Sequence, residues 1–345
     1  MAIEFSRKVI FTKTPLKKKI NTPNFSLYPL EHEEFFVPKL CNLFPVVFEF
    51  SYDPTVVENV DTGFPELDEL LSKMSPSQII EETIILILTT CSNHYFKNKW
   101  MFHGFWGVEI DTDNPDDYKD VGLPKWCFPY FNQQELFEKK FIFNFSNPNI
   151  SKVDVIESKE YFANHSKYSE GIIDEIKIPE IFYRFSISYA MLIGDELEIV
   201  KRGMQHLYNG IEIIDNKKTT GLLAIFTALE TMVNLEYRNQ TIKHCDTCGQ
   251  PKYKVSKKFI EFLMKYVSKD GKKKFNALYS LRSKIVHAGK MMESETLFSD
   301  ASIDTRRMEK IQIFEIIQYT RFAIVMWVCE NTKEEYSKLL ALMQA

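Results

Sequence analysis

Residues 278–289, LYSLRSKIVHAG, form the stretch that decides the fold of the C-terminal half of the chain. Apolar residues recur in and just before this stretch at intervals of three or four, which predicts an amphipathic helix over about residues 273–287. These apolar residues are Phe275, Leu278, Leu281 and Ile285. Gly289 follows the pattern directly, and glycine is the residue expected just beyond a helix end. The stretch therefore predicts a helix with a defined C-terminus.

Four more stretches of the C-terminal half show helical spacing of their apolar residues. The predicted helices cover about residues 196–213, 220–237, 256–267 and 305–330. The connections between them are short, and short connections favour antiparallel packing of neighbouring helices. Together the five helices predict an all-α bundle.

The N-terminal half has a mixed pattern. Residues 44–52 and 141–145 are short, aromatic and β-branched, which predicts two strands. Between them, Ser75 followed by Pro76 is typical of a helix start, with serine as the N-cap and proline at the first helical position. This helix is expected to run to about Tyr95.

Length and composition set the broad class of protein. The chain has 345 residues, which exceeds the size at which one hydrophobic core usually stops growing. Apolar residues make up 45% and charged residues 26%, which excludes a disordered chain. We therefore predict two domains, an α+β N-terminal domain over residues 1–165 and an all-α helical domain over residues 166–345.

The sequence shows no targeting or membrane signal. Its longest apolar run lies within residues 83–91, far short of the roughly 20 apolar residues that a membrane span needs. The first 19 residues carry basic side chains and no continuous apolar segment that could act as an export signal. Six scattered cysteines do not form the dense disulfide framework of a small secreted protein. We expect a cytoplasmic protein without a membrane partner.

Positive charge is concentrated in one segment of the chain. Residues 250–290 contain twelve Lys and Arg against two acidic residues, although the whole chain has a formal charge of −4. Such a segment attracts polyanions such as nucleic acids. The lysines expected to contact the nucleic acid are Lys272, Lys273, Lys274 and Lys284. A solvated, lysine-rich helix surface is the alternative interpretation.

Arg282 lies within the apolar stripe of the predicted helix. A guanidinium there must pair inside the protein or lie at an interface with an anion. Glu230, at the edge of the apolar face of the preceding predicted helix 220–237, is one candidate partner. His287 follows five residues later, about 140° around and about 7.5 Å along an ideal helix, so the two side chains are not expected to share a face. A histidine at a helix C-terminus can exchange a proton near neutral pH.

The residues around Arg282 and His287 resemble the signature of HEPN domains, an Arg followed after four to six residues by a His. The run that contains Tyr279 and Ser283 is similar to the Apea-like branch, in which it follows a Cys-x-x-Cys-Gly segment such as residues 245–249. Residues 228–230, Ala-Leu-Glu, also resemble that branch. The likeness covers about residues 195–330. Ser283 departs from the pattern, because many HEPN nucleases carry Asn, Asp or His directly after the Arg.

The resemblance implies a metal-independent ribonuclease that forms a homodimer and is associated with anti-phage defence. In this interpretation Arg282 and His287 are catalytic, and Glu230, Ser283 and Tyr279 support them. A neutral His287 can take the proton of the RNA 2′-hydroxyl while Arg282 holds the phosphate, which yields a 2′,3′-cyclic phosphate. In the alternative interpretation, Arg282 is a helix-pairing arginine and His287 a capping histidine.

Three residues offer a zinc alternative to the expectation that no cofactor is needed. His244, Cys245 and Cys248 could supply three ligands, whereas a structural zinc site needs four. A second Cys-x-x-Cys or His-x3-His motif is absent from the sequence. Reduced thiols in a tight turn are the competing interpretation.

Two other functions remain open at this point. One is a non-catalytic HEPN module that binds RNA or a protein, and the other is a toxin held inactive by a separate antitoxin. The N-terminal domain is a candidate sensor that would bind a phage-derived trigger.

Overall fold

The computed structural model describes residues 3–29, 35–36, 44–55, 63–97, 107–108, 151–163, 167–168, 173–240, 255–295 and 301–344. The chain divides into two compact units. The first comprises residues 1–88, 93–156 and 166–178, and the second comprises residues 89–92, 157–165 and 179–345. A small β-sheet region is followed by a mostly helical C-terminal part, which confirms the predicted order of fold classes.

The first unit contains a five-stranded antiparallel sheet. Its strands are β1 (Glu4–Thr12), β2 (Ile20–Asn21), β3 (Phe25–Pro29), β5 (Phe44–Tyr52) and β6 (Phe96–Lys97), in the order β2-β3-β5-β1-β6. Two short pairs are β4 (Phe35–Phe36) with β7 (Gly107–Val108), and β8 (Val155–Ile156) with β9 (Ile178–Pro179). The strand predicted over residues 44–52 is confirmed as β5, and the strand predicted over residues 141–145 lies outside the described residues.

The first helix, α1 (Pro65–Cys91), corrects the helix start that Ser75 and Pro76 predicted. Pro76 lies inside α1, which begins ten residues before Ser75. Proline has no N–H to bond the carbonyl oxygen four residues earlier. The hydroxyl of Ser75 donates to that oxygen, the Ser72 carbonyl, at 2.9 Å. Ser75 therefore compensates for an interior proline and does not cap a helix.

The second unit is helical. Its helices are α2 (Ser158–Ala163), α3 (Ile181–Ala190), α4 (Gly194–Ile213), α5 (Lys218–Glu236), α6 (Val255–Tyr266), α7 (Lys272–Ala288), α8 (Ile303–Asn331) and α9 (Lys333–Gln344), with a 3-10 turn at Glu293–Glu295. The five helices predicted for this region are confirmed as α4 to α8, with ends that differ by no more than two residues. Their apolar periodicity thus located them well.

Helix α8 lies at the centre of the helical unit and contacts α3, α4, α5 and α6. In the described part of the chain it is the one helix long and apolar enough to span a membrane, and 61% of its apolar window is buried inside the protein. The closest helix pair is α4 with α5, where a side chain on Gly210 would collide with the Gly221 carbonyl oxygen. Two glycines therefore bring these helices together and fix α5, which carries Glu230.

Candidate active site

Helix α7 positions the residues of the candidate site. Phe275, Leu278 and Ile285 are buried and hold one face of α7 against the unit. Gly289 adopts a left-handed conformation, with φ of 62°, and Lys290 N–H donates to the Lys284 carbonyl at 3.2 Å. The predicted glycine stop is confirmed. It leaves the last turn of α7 at the protein surface.

Arg282 is paired with Glu230 across the α5–α7 interface. Its Nη2 donates to Glu230 Oε2 at 2.9 Å, and its Nε lies 2.5 Å from Glu230 Oε1 in a close ion-pair contact. The side chains are 18% and 25% exposed, so water screens the pair only in part. Glu230, the candidate partner that the predicted helix faces offered for Arg282, therefore pairs with it in the structure.

His287 contacts Arg282 as well, which corrects the expectation that the two side chains lie on different faces. Arg282 Nη1 lies 3.4 Å from His287 Nε2. Helix side chains lean back toward the N-terminus, and an arginine is long enough to reach around the helix to the imidazole. The angle between two Cα positions therefore underestimated how closely the ends of these side chains approach. The imidazole is exposed at the surface.

The contacts of Arg282 with Glu230 and His287 leave one end of its guanidinium available for a ligand. Glu230 pairs with the Nε and Nη2 atoms, and His287 contacts Nη1. A guanidinium carries five N–H donors, so donors of Nη1 and Nη2 remain at its far end. That end can bind two oxygens of one phosphate beside an exposed imidazole. The arrangement combines a cation with a proton acceptor in one place.

Tyr279 and Ser283 flank Arg282 without joining this cluster. The ring of Tyr279 packs against Phe259 of α6, with ring centroids 5.4 Å apart. Ser283 is half-buried, and its hydroxyl forms no hydrogen bond with a residue that the structure describes. Of the three expected supporting residues, the structure thus brings Glu230 into contact with Arg282.

The four candidate RNA-binding lysines fall into two groups. Lys272, Lys273 and Lys284 are exposed and form no ion pair with a described residue. Lys274 differs, because its Nζ lies 2.6 Å from Glu315 Oε1. Burial lowers the pKa of Lys274, and hydrogen bonds to Glu315 and Tyr319 raise it by more, so the net shift is upward. Lys274 is therefore a charged residue that already has a protein partner.

A buried carboxylate that sequence reasoning missed fixes the segment after α7. Glu309 is 9% exposed, and its oxygens accept from the backbone N–H of Glu293 at 2.6 Å and of Ser294 at 3.2 Å. Glu309 also accepts from the Ser294 hydroxyl. The sequence signal that could have indicated the burial of Glu309 is its position four residues before the buried Ile313, one helical turn away. The backbone that leaves the site is thereby held in place.

The candidate zinc ligands His244, Cys245 and Cys248 lie outside the described residues. Among the described residues, no group of three or more His, Cys, Asp or Glu side chains is placed to hold a metal ion. The zinc alternative stays a prediction.

Comparison of the chain with protein-family models, with curated proteins and with solved structures finds no match.

Proposed function

We propose that the chain is a metal-independent endoribonuclease of HEPN type, with Arg282 and His287 as its catalytic residues. The observation that carries this proposal is the 3.4 Å contact between Arg282 Nη1 and the Nε2 atom of an exposed His287. A guanidinium beside an imidazole matches what RNA cleavage through the 2′-hydroxyl needs, which is a phosphate-binding cation and a base.

The proposed reaction uses the RNA as its own nucleophile. Arg282 binds two phosphate oxygens with the far end of its guanidinium, and neutral His287 removes the proton of the 2′-hydroxyl. The bond from O2′ to phosphorus forms, the bond from phosphorus to O5′ breaks, and O5′ takes up a proton from water. The products are a 2′,3′-cyclic phosphate and a 5′-hydroxyl. No step of this scheme needs a metal.

Arg282 also selects the form of His287 that the reaction requires. Its Nη1 can only donate a hydrogen bond, so Nε2 of His287 must accept and carry no proton when the two are in contact. That contact occupies the one lone pair of Nε2, so the imidazole must turn from Nη1 to the 2′-hydroxyl before it removes the proton. Glu230 acts as a positioning residue, because it holds the opposite side of the guanidinium.

We further propose that the active form is a homodimer. Exposed apolar side chains near the site support it, and they are Val286, Met291, Met308 and Ile311. A hollow of about 660 Å³ between α7 and the start of α8 is lined in part by Leu281, Met308 and Ile311. Burying such side chains against a second copy is favourable. Two Arg282–His287 pairs would then act together on RNA.

The second candidate function is a non-catalytic module that binds RNA or a protein. It is favoured by the Arg282–Glu230 pair, because the carboxylate neutralises the guanidinium and the three free lysines alone could attract RNA. The biological setting that we propose for the enzyme is cytoplasmic RNA damage in anti-phage defence. In that setting the N-terminal domain would sense a phage-derived trigger, and a separate antitoxin is the alternative control.

The test is a cleavage assay of the full chain on labelled RNA, with His287→Ala and a matched control. His206 on α4 provides the control, because it lies in the same helical unit and has no role in the candidate site. Cleavage by wild type and His206→Ala but not by His287→Ala supports the enzyme. RNA binding without cleavage by any of the three supports the non-catalytic module.

A further inference from the structure

A second hollow in the helical unit lies away from the contact between Arg282 and His287. This cavity of about 320 Å³ is enclosed by parts of α2, α7 and α8 and by the residues that follow α6. Its volume is at the lower end of the range for small-molecule sites, about 300–1,000 Å³. The Lys274–Glu315 ion pair borders it and also borders the hollow between α7 and α8.

Gln318 is the feature of this cavity that needs an explanation. It lines the cavity and is 3% exposed, and its Oε1 has no hydrogen-bond partner among the described residues. Buried polar atoms nearly always have a partner, because burying one without a hydrogen bond is unfavourable. A ligand with polar groups facing the amide would satisfy Gln318.

Aromatic rings supply the walls of the cavity. Phe162 and Phe322 lie with ring centroids 5.2 Å apart, and Tyr319 lines the cavity with them. Tyr319 is held in place by an edge-to-face contact with Phe275 at 5.6 Å. Such walls suit a flat ring system, which can stack on aromatic side chains.

Charge at the rim favours an anion. Lys159 lines the cavity, is exposed and forms no ion pair with a described residue. The other charged residues of the lining, Lys274 and Glu315, neutralise each other. Among the described residues of the lining, Lys159 therefore carries the one uncompensated charge.

We propose that this cavity binds an adenine nucleotide. The amide of a glutamine matches the N6 amino group and the N7 atom of adenine, donating to one and accepting from the other. In this arrangement Gln318 reads the base, the aromatic walls stack on it, and Lys159 contacts the phosphate. The nucleotide is either free or part of an RNA strand. The proposal stands apart from the ribonuclease function, because it uses neither Arg282 nor His287.

Isothermal titration calorimetry on the full chain tests the proposal with adenosine 5′-monophosphate, adenosine, guanosine 5′-monophosphate, oligo(A) and oligo(U). The His287→Ala variant is titrated as well, because cleavage of the oligonucleotides would obscure their binding. Adenine binding by this variant is then measured independently of the ribonuclease proposal. Adenosine monophosphate is expected to bind, and guanosine monophosphate at least about tenfold more weakly, because guanine presents an oxygen where adenine presents N6. Binding of oligo(A) without binding of the free nucleotide would assign the site to an adenine within RNA.

Three variants locate the binding. Gln318→Met keeps the shape of the side chain and removes an amide whose Oε1 has no partner among the described residues, so it should fold. We expect it to weaken binding about tenfold. Gln312→Met on the same helix is the matched control and should bind normally. Lys159 is exposed, so Lys159→Ala should fold. It should weaken the binding of adenosine monophosphate more than the binding of adenosine. No saturable binding of any adenine ligand up to about 1 mM, equal binding of guanosine monophosphate, or normal binding by Gln318→Met would each overturn the proposal.

Discussion

Arg282 on α7 and Glu230 on α5 form a two-contact ion pair, and the same guanidinium contacts an exposed His287. The pair joins two helices, and it also orients the guanidinium toward the imidazole. One contact between elements distant in sequence thus serves both the packing of the bundle and the geometry of the candidate site.

Glu230→Gln should destabilise the protein and disturb the site together. Arg282 would keep a hydrogen-bond partner but lose its counter-charge in a partly buried position, at a cost of about 1–3 kcal/mol. Thermal denaturation followed by circular dichroism measures the loss as a lower Tm. Glu261→Gln is the control, because the Lys257–Glu261 pair is exposed, spans 3.7 Å and should be worth less than about 1 kcal/mol. Equal Tm values for the two variants would show that the Arg282 pair contributes no special stability.

The helical half of the fold could be predicted from the sequence because its signals are local. Apolar spacing located α7, and Gly289 located its end. The Glu230 pairing joins residues 52 apart, and the sequence offered it as one candidate because both side chains adjoin the apolar face of a predicted helix. Other features depend on atoms that a helical wheel ignores. The contact between Arg282 and His287 arises from side-chain length, and Pro76 is tolerated inside α1 because the Ser75 hydroxyl bonds the carbonyl that proline leaves free.

The sheet was harder to predict. Strand β1 places two charged residues, Arg7 and Lys8, directly before three apolar ones, so it lacks the alternation typical of a strand. Arg7 is paired across the sheet, where its Nη2 lies 3.2 Å from Glu49 Oε1. Such a pairing joins residues far apart in the sequence. Strand β5 was predictable because six of its nine residues are aromatic or β-branched. Gln318 gave no local signal, since its environment is made by α2, α7 and α8 together.

His287→Ala should slow RNA cleavage by roughly two to four orders of magnitude, the usual effect of losing a general base. RNA binding should stay nearly unchanged, because Arg282 makes the proposed phosphate contact and is retained in this variant. Single-turnover cleavage and fluorescence anisotropy measure the two effects separately. Circular dichroism must show that the variant is folded, and His206→Ala should match wild type in every assay. Cleavage at the wild-type rate by folded His287→Ala would remove His287 from the mechanism.

Cleavage should persist in excess EDTA, because the proposed base and cation are both side chains. Magnesium-dependent nucleases instead hold their metal with carboxylates. The assay compares initial rates with EDTA and with added magnesium at the same ionic strength, since salt alone weakens RNA binding. A cleavage rate that requires magnesium would contradict the proposed mechanism. It would not contradict the fold.

The full chain should be a dimer at micromolar concentration, and Met308→Glu should convert it to a monomer. Met308 is 64% exposed beside the hollow between α7 and α8, so a carboxylate there would be buried without a partner in a dimer. Light scattering coupled to size exclusion gives the mass directly. Leu342→Glu on α9, where the leucine is 76% exposed, is the control and should remain dimeric. A monomeric wild type would refute the prediction.

The lysines near the start of α7 should differ in how they affect RNA binding. Lys272 and Lys273 are free to contact phosphates, and replacing each by Ala should reduce the slope of log affinity against log salt by about 0.7 for single-stranded RNA. Lys274→Ala should leave that slope nearly unchanged, because Lys274 is paired with Glu315 and makes no phosphate contact of its own. Its affinity should still fall, since Glu315 would be left uncompensated.

Titrations of the His287→Ala protein, which we expect to cleave RNA only slowly, give these slopes at several salt concentrations. Lys338→Ala on α9 changes the net charge by the same amount away from α7 and should not alter the slope. Cleavage by the Lys272→Ala/Lys273→Ala protein at saturating RNA should survive, because the lysines attract RNA and take no part in the chemistry. If Lys274→Ala lowers the slope as much as Lys272→Ala does, the Glu315 pair opens on RNA binding and all three lysines form one RNA-binding surface.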